Sequence, residues 1–260
     1  MTAGSGAELR LGEWRTHAAV VYGSGLWELP VGARVEDEVS YDALQWPAGD
    51  VPGHENVLRL ATVRLHDGRR LRLALACGRP HRYEGWSDEE LQTPVRGLAA
   101  AGVTRLVLTN SCGALRPGAA VGRIVVCSRI VDLQRPPLDD EPRRLVVCDD
   151  DGAARVARAL GAAPRPCTYV SVCGPQFETP AEAAWLAGYG DVVGMSAAPE
   201  ARAAAATGVE CCLLALVANV AAAVDSHAEV LAAGGGLARA LAAGLAAAVT
   251  ARWPGLFEAS

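Results

Sequence analysis

Between Thr168 and Glu200 the chain reads TYVSVCGPQFETPAEAAWLAGYGDVVGMSAAPE, and this stretch leaves few folds open. The apolar run Tyr169 to Cys173 predicts a buried strand, broken by Gly174-Pro175. Thr179-Pro180-Ala181-Glu182 then has the form of a capping box with proline at the first helical position. The helix it starts should reach about Leu186 or Ala187 and stop at Gly188 to Gly190. Asp191 to Met195 predicts a second strand, which ends at Ser196 before another helix near Pro199. Glu178 and Ser196 therefore fall at carboxyl ends of strands, where open α/β sheets bind their ligands.

The rest of the chain keeps that alternation. His17 to Tyr22, Leu71 to Ala76, Thr104 to Thr109, Val121 to Asp132 and Cys211 to Ala218 predict strands. Ser87 to Gly102, with a Ser87/Glu90 capping box, and the segments 152–160, 199–207 and 228–252 predict helices. Strands alternating with helices argue for an α/β fold with one sheet, mostly parallel or mixed. At 260 residues and 51% hydrophobic the chain suits one large domain, 1–260. From Gln134 to Asp151 it is rich in Pro, Arg and Asp and reads as a surface loop.

Charge and cysteines remove several function classes. A net charge of −5 gives no basic footprint, so nucleic acid is not the expected partner. All 24 basic residues are arginine, which excludes a Schiff-base or Walker-type lysine. The eight cysteines form no CxxC pair and point to free thiols in a reducing cytosol, without zinc or disulfides. The N-terminus has no apolar signal core and no stretch suits a membrane span, so the expectation is a cytoplasmic protein.

Several polar residues stand where strands end. Gly23-Ser24-Gly25 follows the first strand, and glycines flanking a serine let backbone amides approach an anion while the hydroxyl donates one more hydrogen bond; the same pattern also serves as an ordinary turn. His54 lies in a turn, Val51-Pro52-Gly53-His54, and by itself reads as a loop residue. Arg79, His81 and Tyr83 alternate after the strand 71–76, so an extended backbone would aim all three one way. Guanidinium plus imidazole suits a phosphate or carboxylate, with a solvated edge strand as the alternative. The turn Asn110 to Leu115 could present amides to an anion, and Asn219 ends a buried strand, where its amide needs partners.

Together these residues resemble the low-molecular-mass, trimeric purine nucleoside phosphorylase family, which includes methylthioadenosine phosphorylase. The resemblance runs from about Ala18 to Gly234 and rests on seven pieces in the family's order: GSGL (23–26), VPGH (51–54), GRPHRYEGW (78–86), TNSCGAL (109–115), GPQFETPAE (174–182), VGMSAAPE (193–200) and HAEVLAAG (227–234). It implies a phosphate site at Ser24, Arg79, His81, the Ser111 backbone and Ser196, with His54 close by. Tyr83 and Met195 would meet ribose, His227 the 5′-hydroxyl, and Glu178 and Asn219 the purine. Asn219, Glu178 and His81 are the implied catalytic residues. It further implies a twisted mixed β-sheet flanked by helices, a homotrimer, a reaction with orthophosphate as co-substrate, and no metal or other cofactor.

The chemistry of the residues agrees with those roles. Phosphorolysis needs an anion clamp, a sugar platform and donors to a purine leaving with negative charge. Asn219 would donate to N7 and Glu178 would accept from N1–H of a 6-oxopurine, favouring inosine and guanosine over adenine nucleosides. Other features depart from the family. Ser111-Cys112-Gly113-Ala114 is bulkier than its small-residue turn, and MSAAPE stands for the usual MSTVPE. Ala218 replaces a threonine before Asn219. Region 134–151 is shorter and lacks the phenylalanine lent across the trimer to the neighbour's ribose. Two alternatives follow: a phosphorylase for a modified or 5′-altered purine nucleoside, or a weakly active purine-nucleoside-binding protein.

Overall fold

The computed structural model describes residues 11–24, 26, 28–65, 67–135, 143–223 and 227–256, with side chains in the last helix described from residue 235 onward. Ten strands form one sheet: β1 (Ala18–Tyr22), β2 (Ala33–Ser40), β3 (Val57–Arg64), β4 (Arg70–Cys77), β5 (Arg105–Ala114), β6 (Ile124–Asp132), β7 (Arg143–Val146), β8 (Cys167–Ser171), β9 (Val192–Gly194) and β10 (Glu210–Val220). The helices are α1 (Tyr41–Leu44), α2 (Asp88–Ala100), α3 (Asp150–Ala159), α4 (Pro180–Leu186), α5 (Ala198–Thr207) and α6 (His227–Arg252).

The sheet is mixed, as the sequence predicts. β1, β4, β5 and β10 run parallel, while β3 pairs antiparallel with β4 and β2 with β3. Pairings β5–β10, β10–β6, β6–β8, β8–β9 and β9–β5 close a ring of five strands. Alternate side chains along β5 separate the two faces: Leu106, Leu108, Cys112 and Ala114 join one core cluster with α2 and α5, while Val107 joins the other with α3 and α6.

Local chemistry sets the helix starts. Ser87 and Thr179 each accept a hydrogen bond from the backbone of Glu90 and Glu182, and each glutamate bonds back to its cap; such caps contribute about 1 kcal/mol each. Asp149 caps α3 through the Gly152 amide at 2.6 Å. Gly208, at φ +72, closes α5 in the left-handed region where glycine pays no side-chain penalty.

Two expectations need correction. The loop 134–151 contains β7, whose alternating half-exposed residues lie antiparallel on β6 and carry no strong apolar signal; residues 136–142 lie outside the described part. The turn expected at Asn110 to Leu115 is strand: β5 continues to Ala114 because β10 pairs with it along its whole length. The hairpin strands β2 and β3 and the short helix α1 were not among the elements predicted. β2 is mostly exposed, and an edge strand needs no apolar run. Among the described residues all eight cysteines are free thiols and only Cys173 is exposed, and no helix is long and apolar enough to cross a membrane.

Candidate active site

The site begins with an unpaired stretch on one edge of β5. β10 covers the other edge from Arg105 to Ala114. On the near edge β1 pairs with residues 105–108, and β9, running the opposite way, pairs with Gly113 and Ala114. Two strands thus approach β5 from opposite ends and stop short of each other. Between their tips, Thr109 to Cys112 have no strand partner on that side among the described residues. A ligand crevice at a point where strand direction changes is what an open sheet provides.

Close backbone approach narrows this gap. A side chain at Gly23 would place its first carbon 2.8 Å from Asn110 Cα and 3.1 Å from the Thr109 carbonyl oxygen. On the opposite flank, one at Gly194 would lie 3.3 Å from the Ser111 carbonyl oxygen. Thr109 and Ser111 therefore turn their backbone groups toward the gap, and the Ser111 N–H faces into it. The cleft above is lined by Ser24, Arg79, His81, Tyr83, Ser111, Glu178, Met195, Ser196 and Asn219, nine of the eleven predicted site residues.

At the gap itself stands a set of donors whose chemistry suits an anion. Arg79 is 2% exposed; one terminal nitrogen donates to Ser196 Oγ at 3.0 Å and the other to the Val21 carbonyl at 3.2 Å. Its Nε lies 3.1 Å from Glu200 on α5, itself buried, so the guanidinium enters the site already oriented. Ser196 is held by the Tyr169 hydroxyl, which accepts from its amide at 3.4 Å, and by the Ser171 hydroxyl, which donates to its carbonyl at 2.7 Å. It precedes the N-terminus of α5, whose dipole favours negative charge.

His54 stands behind Ser24 and is not part of the cleft wall. The Arg79 amide donates to His54 Nδ1 at 3.2 Å, which leaves the proton on Nε2, 3.0 Å from Ser24 Oγ. Ser24 thereby receives a hydrogen bond and keeps its own O–H free to donate into the cleft. The three aromatic rings of this region form a stack. His54 and His81 lie 5.3 Å apart at 19°, and His81 and Tyr83 4.9 Å apart at 16°. Arg79, His81 and Tyr83 do converge on the cleft, but not along an extended backbone. Arg82–Glu84 forms a 3-10 turn after His81, because the Glu84 carboxylate bonds back to the His81 amide at 2.6 Å.

Burial holds His81 below the usual histidine range, so it is neutral at neutral pH. Glu84 lies 3.4 Å from its Nδ1 and favours the tautomer protonated there, leaving Nε2 as an acceptor. Burial opposes ionisation of Glu84, but hydrogen bonds from the His81 ring and from the His81 and Asp50 amides outweigh it and hold the carboxyl below its ordinary value. Burial pushes the Tyr83 phenol up to about 12, which keeps it a neutral donor.

The far end of the cleft is less polar. Glu178 is half-buried beside Phe177, and burial raises its carboxyl above the usual value. Asn219 sits at a bulge in β10 and donates from Nδ2 to the Val220 carbonyl at 2.9 Å. It packs closely on Gly113, where an added side-chain carbon would come 3.3 Å from that nitrogen. Between the two ends, Tyr83 and Met195 meet over Gly174: a side chain there would fall 2.4 Å from Met195 Sδ and 2.8 Å from Tyr83 Cδ1. The Ser111 hydroxyl donates to the Ser24 carbonyl at 3.4 Å. His227 opens α6, but its side chain lies outside the described part.

Sequence reasoning missed Glu84, Glu200, Phe177 and Asn110. Glu84 follows His81 by three residues, a spacing that a capping box uses and that gave a usable signal. Glu200 had none, because its partner Arg79 is far away in the chain.

A family model described as the phosphorylase superfamily matches residues 18–250, and the chain belongs to that superfamily, among its purine nucleoside phosphorylases. The purine nucleoside phosphorylase of Mycobacterium leprae is 35% identical over 86% of this chain and 85% of its own length; that of Mycobacterium tuberculosis is 36% identical over 91% and 90%. Among solved structures, a schistosoma purine nucleoside phosphorylase in complex with hypoxanthine aligns with a TM-score of 0.74 at 25% identity, covering 95% of this chain and 94% of that one. The Schistosoma mansoni enzyme in complex with inosine gives 0.70 at 27%, covering 96% and 93%.

Proposed function

We propose that this protein is a pentosyltransferase that cleaves purine nucleosides with orthophosphate, releasing free purine and ribose 1-phosphate, and that inosine and guanosine are its preferred substrates. The relatives bear the name of that activity, and two related structures hold ribose 1-phosphate. The single observation carrying the reading is the layout of the cleft: an anion site between the tips of β1 and β9, a half-buried carboxylate and amide at the far end, and a Tyr83/Met195 floor between them.

Orthophosphate binds in the gap through the Ser24 hydroxyl, the Ser111 N–H, Arg79 and Ser196, with His81 beside it and His54 holding Ser24. The nucleoside lies with its ribose over Tyr83 and Met195 and its base between Glu178 and Asn219. Phosphate then attacks C1′ as the glycosidic bond breaks. The sugar passes through a cation-like transition state, which the bound anion stabilises electrostatically. Asn219 leaves its bond to Val220 and donates to N7 as charge builds on the base; removing one such donor to developing charge typically costs about 10² to 10³ in kcat. Glu178 accepts from N1–H. Adenine has a lone pair at that position, so an ionised Glu178 repels it, and a site built to bond a missing group rejects analogues by about 10⁴ to 10⁵.

The scheme uses no metal or cofactor beyond orthophosphate. The working assembly is a homotrimer of one-domain chains in the cytoplasm, a location in keeping with the eight free cysteines; His227 reaches the 5′-hydroxyl. The test is consumption of inosine, guanosine and adenosine with and without orthophosphate. Phosphate-dependent loss of the two 6-oxopurine nucleosides, and little of adenosine, is expected. Equal turnover without phosphate would overturn the reading.

A further inference from the structure

Tyr83 lines the middle of the cleft, and its ring rests on His81 at 4.9 Å. What holds it there is its two neighbours in the 3-10 turn. On one side the Glu84 carboxylate accepts from the Asp50 and His81 amides, both at 2.6 Å. On the other, Arg82 Nη2 donates to Asp88 Oδ1 at 2.6 Å. The first tie stays within the loops around the turn, whereas the second leads into the body of the protein.

Asp88 opens α2, directly after its cap Ser87, and gathers several donors. Its Oδ1 accepts from Arg202 as well as from Arg82. Its Oδ2 accepts from Gln92 at 2.8 Å and lies 3.7 Å from Arg135. Arg202 stands on the second turn of α5 with its side chain 10% exposed, and its other terminal nitrogen donates to Asp132. Asp132 is the last residue of β6; its carboxylate is fully buried, and its second oxygen accepts from the Gln134 amide at 3.0 Å. An unbroken line of alternating charges, Asp132–Arg202–Asp88–Arg82, thus runs from the sheet through α5 and α2 to the turn that carries Tyr83.

Exposed ion pairs hold little in place, but this line is anchored at a buried carboxylate. The planar guanidinium of Arg202 spans two carboxylates and fixes their separation. Two residues earlier on the same helix, Glu200 lies 3.1 Å from Arg79 Nε. One helix therefore references both the arginine of the anion site and the tyrosine of the sugar site. We propose that Asp88 is a positioning residue, which through Arg82 and Arg202 holds Tyr83 at a set distance from the anion site and so fits the cleft to the ribose between phosphate and base. This rests on the phosphorolysis reading of the same cleft.

Initial rates of the full chain, with inosine and orthophosphate varied in turn, test it. In Asp88→Ala kcat/KM for inosine falls about tenfold, short of the 10² or so that a 1 Å misplacement costs, while the KM for orthophosphate changes little. Asp88→Asn keeps an acceptor and recovers part of the loss. Arg82→Met shows the same defect, and the double variant Asp88→Ala/Arg82→Met is no worse than Asp88→Ala, as for residues acting in one network. Arg202→Lys serves if Asp88→Ala does not fold: its ammonium keeps a charge beside Asp132 but cannot span both carboxylates, and it lowers kcat/KM for inosine likewise. A folded Asp88→Ala with wild-type inosine kinetics overturns the proposal, as do fully additive losses in the double variant. The crystal structure of Asp88→Ala gives a readout without turnover: the Tyr83 ring shifts on His81, and a ring left in place overturns the proposal. Wild-type protein that consumes no inosine with orthophosphate would instead refute the phosphorolysis reading, and the position of the Tyr83 ring would still decide the role of Asp88.

Discussion

Gly174→Ala isolates the proposed sugar platform from the rest of the site. Gly174 adopts φ +72, where a residue with a side chain pays about 1–2 kcal/mol. The added carbon would stand 2.4 Å from Met195 Sδ and 2.8 Å from Tyr83 Cδ1, whereas carbon contacts prefer about 3.5–4.0 Å. Met195 and Tyr83 must therefore each yield by about 1 Å. Met195 can swing, but Tyr83 is stacked on His81 at 4.9 Å and carries the displacement into the nucleoside site. A misplacement of about 1 Å costs on the order of 10² in rate. The backbone penalty alone lowers Tm by about 2–8 °C for a chain of this size. Steady-state kinetics with each substrate varied in turn should show kcat/KM for inosine falling about 10²-fold while the KM for orthophosphate changes little. A Tm drop with unaltered inosine kinetics would refute the ribose platform, and a selective rise in the orthophosphate KM would mean that this floor belongs to the anion site.

Glu178→Gln keeps the shape of the base contact and removes its charge. Loss of a charge-assisted hydrogen bond worth about 1.5–3 kcal/mol lowers kcat/KM for inosine by about 10- to 100-fold with Tm unchanged; full activity would remove Glu178 from base recognition. His81 gives a pH signature. Burial holds its folded pKa below the unfolded value of about 6.5, so the unfolded chain takes up the proton first and stability is lost as pH falls below about 6.5. The Tm advantage of wild type over His81→Gln, followed from pH 8 to pH 5, should shrink on acidification, and an advantage that grows would mean that His81 is charged in the fold.

Much of the fold was legible because its signals are local. The capping boxes at Ser87/Glu90 and Thr179/Glu182 fix helix starts through contacts three residues apart, and both stand where the sequence placed them. Buried strands such as β1 and β10 show as apolar runs for the same reason. β7 did not show, since its side chains alternate between half-buried and exposed and it depends on β6 for its pairing. The continuation of β5 past Asn110 is likewise set by a strand that comes a hundred residues later in the chain, and local turn chemistry at Ser111 to Gly113 points the other way.

The site divides along the same line. Ser24, Arg79, His81, Glu178 and Ser196 each follow a strand, and the sequence brings them to one end of the sheet. What no sequence pattern states is the gap between β1 and β9, which arises from two pairings to a common strand. Arg79–Glu200 and the His54–Ser24 relay also join segments that only the folded sheet makes neighbours. The stacked rings of His54, His81 and Tyr83 depend on the 3-10 turn that Glu84 imposes, whereas an extended strand would have separated them.

The most direct measurement is phosphorus-31 NMR of the protein with inosine and orthophosphate. A sugar 1-phosphate resonance should grow in step with free hypoxanthine while the orthophosphate signal falls by the same amount. Hypoxanthine released with the orthophosphate signal unchanged would show that water is the acceptor and would contradict the anion site between β1 and β9.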